Sequence, residues 1–324
     1  MKIAALALGA LALAAPSAQA ETRLNGAGAS FPAPIYQRWF KDYADKTGNE
    51  VNYQAVGSGA GVRQYKAGTT DFGASDKAVS DKKLAGISRD MVQIPMTGGA
   101  IAVAYNKPGC DLKLSQVELT KVFYGRIDNW SQLGCAAGPI TVAVRSDGSG
   151  TTAGFTNSLS AFSPYWEARV GRGKSVKWPA AGTVGGKGNS GVAGVIQNRV
   201  GAIGYVNQSY IKGNVKAAAL QNKSGEFLKP SVEAGARALN GITLDKDLAG
   251  KNPNPSAKGA YPISTLTWAL AYKTGNGANA KVVKDAFNYM LSSKAQAVAP
   301  NLGFVPLKGD ILKASKAAVS KIGK

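Results

Sequence analysis

Arg145-Ser146-Asp147-Gly148-Ser149-Gly150-Thr151-Thr152 gathers in one short run the groups that an oxyanion needs. Arg145 brings a planar fork of donors suited to two oxygens of one anion, and Asp147, two residues on, can hold that guanidinium in place. Ser149 and Thr151 add hydroxyl donors. The run follows Thr141-Val142-Ala143-Val144, a β-branched stretch that reads as a buried strand. It precedes Phe155, Leu159 and Phe162, which are spaced to share one helical face. A strand, a glycine-loosened turn and a helix start leave backbone N–H groups unpaired at the positive end of a dipole. The same residue types serve any helix N-cap, so this segment alone permits either reading.

Two further turns have the same shape. Leu24 to Phe31 reads as a strand running into glycine-spaced backbone, and a helix then begins at Pro32-Ala33-Pro34, with Ile35, Trp39 and Tyr43 on one face and Tyr36 and Phe40 beside them. The prolines remove amides that a first turn leaves unpaired anyway, so Ser30, Phe31 and Ala33 are left to offer N–H groups. Val51 to Val56 reads as the next strand, followed by Gly57-Ser58-Gly59-Ala60-Gly61 and a short helix through Val62 and Tyr65. Asp71-Phe72-Gly73-Ala74-Ser75-Asp76 is a brief strand ending in a carboxylate. Ligands of open α/β sheets gather at strand carboxyl ends, which places Asp76 in the same crevice as the helix starts. A carboxylate among anion-binding donors makes sense if the anion carries a proton, because an acceptor-only group can take its hydrogen bond. An Asp that merely caps the turn before Lys77 is the plainer alternative.

Taken in order, Gly26 to Tyr36, Gly57-Ser58-Gly59, Asp71 to Asp76, Arg145 to Thr151 and Gly185-Gly186-Lys187-Gly188-Asn189 resemble the periplasmic phosphate-binding proteins of high-affinity phosphate ABC transporters. The likeness covers most of the chain and is weakest towards its C-terminus. It implies an α/β, two-lobed periplasmic binding protein of type II with a ligand cleft between the lobes. Residues 21–102 and 261–324 would form lobe I and residues 103–260 lobe II. It also implies inorganic phosphate as ligand, held by Ala29, Ser30, Phe31, Ser58, Asp76, Arg145, Ser146, Asp147, Ser149, Gly150 and Thr151, without metal or cofactor. Membrane permease subunits of the importer would be the partners of a monomer. Ser30 stands where the family often has threonine, and Gly59 where a second serine is common.

The remaining composition narrows the alternatives. Lys2, the apolar run Ile3 to Ala15 and Ala18-Gln19-Ala20 ahead of Glu21 make residues 1–20 a signal peptide, so a soluble periplasmic product is expected. No later stretch approaches the ~18 uninterrupted apolar residues of a membrane span. Cys110 and Cys135 enter an oxidising compartment with the wrong spacing for C-x-x-C, and a structural disulfide is expected. Histidine is absent, which removes Ser-His-Asp and Cys-His activation and the commonest zinc ligand. An exported phosphatase using Ser149 or Asp147 as nucleophile would lack a means of activating it. The formal charge is +20, yet the lysines are scattered and the longest basic run is Lys82-Lys83. With no nucleic-acid signature, this reads as a solvated basic surface that concentrates small anions. A basic adhesion protein, the other alternative, would bind polyanions with steep salt dependence.

The elements that must position these groups alternate between strand and helix. Val92 to Asn106, apolar with a Gly98-Gly99 pair, suits a crossing between lobes, and Leu114 to Tyr124 a helix. Gly182 to Gly191 is glycine-rich but no Walker loop, since Lys187 is followed by Gly188. Gln197 to Val206 reads as a helix end and a returning strand, and Lys251 to Pro262 as a linker. Tyr261 to Tyr272 would recross to the first lobe, and Val282 to Leu291 form a helix.

Overall fold

The computed structural model describes residues 22–80 and 89–323; residues 1–20, read above as a signal peptide, and the Lys82-Lys83 run lie outside them. The chain opens with β1 (Arg23–Gly28), α1 (Ala33–Thr47), β2 (Glu50–Gln54), α2 (Ser58–Lys66) and β3 (Phe72–Ser75). β1 pairs in parallel with both β2 and β3, which strand–helix–strand crossovers make possible. α1 buries Ile35, Tyr36, Trp39, Phe40 and Tyr43 against this sheet, the face set by their helical spacing. Each of these large side chains contributes about 1.5–3 kcal/mol on burial. Gly48 ends the helix in the left-handed region, with φ of 74°.

β4 (Met91–Asn106) is the spine of the molecule. Every residue after Met91 is buried, as a strand covered on both faces must be. The short strands and helices that follow are β5 (Lys113–Leu114), the helix Gln116–Tyr124, β6 (Thr141–Arg145), the helix Gly150–Phe162, β7 (Val184–Gly186), the helix Gly188–Gln197 and β8 (Ala202–Asn207). Beyond them lie β9 (Lys216–Ala217), β10 (Ala219–Gln221), β11 (Phe227–Leu228) and β12 (Ser264–Tyr272). The main sheet runs β2-β1-β3-β12-β4-β8-β6-β7. β4 changes partner part-way: residues 91–100 pair with β12 and residues 101–106 with β8. Pro95 is tolerated in this central strand because the β4–β12 register shifts beside it, between Thr267 and Trp268.

Cys110 and Cys135 are joined as a disulfide with a Cα separation of 5.4 Å. The expected helix at Leu114 starts two residues later, because Ser115 and Glu118 form a reciprocal capping box and Lys113-Leu114 joins a small sheet with β10 and β11 instead. The stretch read as a linker is irregular, but its end is packed: Ala260 and Tyr261 are fully buried. A C-terminal helix, Gly309–Val319, also packs against the body through Ala318 and Val319. Among the described residues, no helix is long and apolar enough to cross a membrane.

Candidate functional site

β6 delivers Arg145 at its carboxyl end with the side chain 1 % exposed. Nε and Nη2 donate to the two carboxylate oxygens of Asp147 at 2.7 and 2.5 Å, and Nη1 donates to Thr151 Oγ1 at 3.4 Å. Of the five guanidinium N–H groups, one on each Nη is thereby left for a ligand. Asp147 Oδ1 also accepts the Gly188 amide at 2.9 Å. Burial alone would raise the Asp147 carboxyl, but the hydrogen bond and charge of Arg145, with the Gly188 amide, outweigh it and hold the group below its ordinary value. Asp147 is therefore an ionised strut. Tyr205, stacked on Phe155, braces the other side, accepting the Arg145 amide at 3.3 Å.

The helix Gly150–Phe162 starts beside this strut. Ser149 caps it by accepting the Thr152 amide at 2.9 Å, while the Gly150 and Thr151 amides have no partner among the described residues. Gly150 is required by closeness: a Cβ there would lie 2.5 Å from Ser58 Oγ and 2.7 Å from the Asp76 amide. Gly59 has a similar reason, since its amide donates to the Gly148 carbonyl at 2.6 Å, a backbone approach that a serine Cβ would crowd.

Asp76, at the end of β3, is only 3 % exposed. Its Oδ1 accepts the Thr267 hydroxyl at 2.9 Å and its Oδ2 the Thr151 hydroxyl at 3.2 Å, while its amide donates to Ser58 Oγ at 3.2 Å. Burial pushes its carboxyl up to about 6, against the hydrogen bonds of Thr267 and Thr151 and the charge of Arg145. A cavity of about 300 Å³ borders Asp76, lined also by Lys77, Asn157, Arg172, Lys251 and Trp268. The other residues of the cradle do not line it.

Ser30 closes the ring. Its Oγ accepts the Asn189 amide at 2.9 Å and Asn189 Nδ2 at 3.0 Å, its carbonyl accepts the Tyr210 hydroxyl at 2.7 Å, and Asn189 Nδ2 continues to Thr151 Oγ1 at 3.1 Å. Ser30, Ser58, Asp76, Arg145 and Thr151 thus belong to one connected hydrogen-bond network. The Phe31 and Ser58 amides, at the starts of α1 and α2, are without partners among the described residues. Three expected donors fall away. The Ala29 amide is spent on the Ala74 carbonyl at 3.0 Å, and the Ala33 amide on Ser30 at 3.3 Å. Ser146 is exposed, with its amide bonded to the Gly186 carbonyl at 3.1 Å in the β6–β7 ladder. Thr267, Asn189 and Tyr210 were not expected. Of these, Thr267 had a signal: a hydroxyl within the apolar run of β12 must find a partner when buried.

The arrangement suits a tetrahedral oxyanion: helix-start amides, hydroxyls and one guanidinium supply donors, and one buried carboxyl supplies an acceptor. A profile described as a PBP superfamily domain matches residues 14–294. The phosphate-binding protein PstS of Haemophilus influenzae is 40 % identical over 319 residues, covering 93 % of this chain and 93 % of the relative. The chain belongs to the PstS family of phosphate-binding proteins. The Xylella fastidiosa (strain Temecula1) PstS is 38 % identical over 317 residues, covering 92 % and 85 % of the two chains. Among solved structures, a high-affinity periplasmic phosphate-binding protein (PfluDING) with phosphate bound superposes at a TM-score of 0.79 with 22 % identity, covering 94 % of this chain and 99 % of that one. The PstS family fold is thus the two-lobed type II arrangement, and here the cradle residues come from both sides of the β4 partner change.

Proposed function

We propose that this chain binds inorganic phosphate in the periplasm and hands it to the membrane permease subunits of a phosphate ABC importer. The observation that carries the reading is the single buried network joining Ser30, Ser58, Asp76, Arg145 and Thr151. In this reading the phosphate oxygens accept from the Phe31, Ser58, Gly150 and Thr151 amides, the Ser30, Ser58 and Ser149 hydroxyls and the Arg145 fork. Asp76 accepts the ligand's own hydrogen. Asp147 acts through Arg145, and Ala29 and Ser146 are left out. Desolvating the anion is costly, and charge-assisted hydrogen bonds worth about 1.5–3 kcal/mol each offset that cost. Fully ionised sulfate has no hydrogen for Asp76, and a buried polar group left unpaired can reject an analogue by about 10⁴–10⁵-fold.

The change of partner along β4 supports lobe I as residues 21–102 and 261–324 and lobe II as residues 103–260, moving about the Gly98-Gly99 region on closure. Phosphate-binding relatives support a carrier without catalysis; Ser149 Oγ serves as a helix cap. A monomer with no nucleic-acid partner completes the proposal. Calorimetric titration of the purified protein with phosphate and then sulfate tests it: tight phosphate binding with sulfate weaker by at least about a thousandfold is expected, and equal affinities would refute it.

A further inference from the structure

Asn189 is fully buried and reaches across the cleft from the helix that follows β7 to the loop that follows β1. Its amide orientation is fixed by a backbone donor: Oδ1 accepts the Asn207 N–H at 2.8 Å, so Nδ2 must be the end that faces Ser30 and Thr151. A hydroxyl oxygen has two acceptor sites and one hydrogen. On Ser30, both acceptor sites are filled by Asn189, through its backbone N–H and Nδ2. On Thr151, they are filled by Asn189 Nδ2 and Arg145 Nη1. The Thr151 hydrogen then goes to Asp76, and the Ser30 hydrogen has no acceptor among the described residues.

We propose that Asn189 is a specificity-determining positioning residue that fixes Ser30 as a donor only and aims the Thr151 hydrogen at Asp76. The inference rests on the phosphate reading above. Neither of these two hydroxyls can then accept a hydrogen from the bound anion, which removes two competitors of Asp76 for a protonated ligand oxygen. Because the two partners stand on opposite sides of the cleft, this setting of hydroxyls exists only when the lobes are together. Closure itself thereby converts Ser30 from a freely turning hydroxyl into an oriented donor, and the tyrosine beside it, Tyr210, keeps the Ser30 backbone in place.

The test is stopped-flow and calorimetric binding of inorganic phosphate to the full-length mature protein, with sulfate as comparator. The variants are Asn189→Ala, Ser30→Ala, their double variant and Asn189→Asp, which keeps an acceptor for the Asn207 amide but loses the Nδ2 donor. Asn189→Ala is expected to weaken phosphate about thirtyfold, through faster dissociation with an unchanged association rate. In the Ser30→Ala background its loss should shrink to about threefold, a coupling of about tenfold. Asn189→Asp should lose at least as much as Asn189→Ala, and both should narrow the preference for phosphate over sulfate. If Asn189→Ala does not fold, the same cycle built with Asn189→Asp decides. Additive losses, a loss confined to association, or unchanged selectivity in Asn189→Asp would overturn the inference while leaving the phosphate reading intact. Wild-type protein that binds no phosphate would overturn both.

Discussion

Two aspartates stand on either side of Arg145 and the helix start at Gly150, and their surroundings drive them in opposite directions. Asp147 meets a guanidinium edge-on and a backbone amide, so it remains ionised and serves as a strut. Asp76 is more deeply buried and is met by two neutral hydroxyls, which compensate its charge far less, so its carboxyl is pushed up to about 6. The same side chain therefore does two jobs, decided by whether its partner carries a charge or only a dipole. One corner fixes the geometry of the donor fork; in the proposed reading the other senses whether the guest carries a proton.

Removing the shared cation breaks the comparison most severely. Arg145→Ala leaves the half-buried Asp147 with the Gly188 amide but without its cation, and removes two donors to the ligand. Loss of one partner of a buried pair costs about 3–5 kcal/mol, so calorimetry should show phosphate affinity falling by about a thousandfold, with a lower melting temperature.

Asp76→Asn comes next. A folded value near 6 against an ordinary 3.8 means that the ionised carboxylate costs the native state about 3 kcal/mol at neutral pH. That cost is absent below 3.8 and complete above about 6. The variant without phosphate should therefore be more stable than wild type at pH 7 by up to that amount, and the gain should vanish as the pH is lowered towards 4. At the same time its preference for phosphate over sulfate should fall by at least about a hundredfold. Wild type itself should discriminate less as the pH drops through about 6, where a protonated Asp76 can donate to sulfate. A neutral-pH melt in which Asp76→Asn loses stability would contradict the assignment.

Much of this was legible along the chain. Helical spacing located the buried face of α1, and glycine-hydroxyl turns located the three helix starts and the carboxyl at the end of β3. Local pattern failed where backbone groups are consumed at a distance. Nothing near Ala29 or Ser146 says that their amides are spent on Ala74 and Gly186 in the sheet ladders. Nor could the partners of Ser30 be read, because Asn189 and Tyr210 lie more than 150 residues away and meet it only through the fold. Thr267 sits in a strand buried on both faces, where the two-residue alternation that usually flags an inward polar group is lost.

The finest discrimination between the two corners comes from Asp147→Asn. An amide keeps one acceptor for Arg145 but in either orientation turns its NH2 towards a guanidinium N–H, and in one of them towards the Gly188 amide as well, so the buried cation is left partly uncompensated in the ligand-free protein. Stability at pH 7 should fall by about 1–3 kcal/mol, the cost of such an unsatisfied group. This is opposite in sign to Asp76→Asn. Because folding lowers the Asp147 carboxyl, its contribution is present above its ordinary value of 3.8, and the deficit should shrink as acid protonates the wild-type carboxyl below that value. A bound phosphate brings its own negative charge to Arg145, so saturating ligand should recover part of the deficit, at most about 1.4 kcal/mol. Affinity should then change by no more than about tenfold, and selectivity against sulfate should be unaltered, since Asp76 is untouched. Melting curves of both Asp→Asn variants, with and without phosphate, at pH 7 and pH 4, separate a strut from a proton reader: equal signs at pH 7 would show that the two carboxylates do the same work.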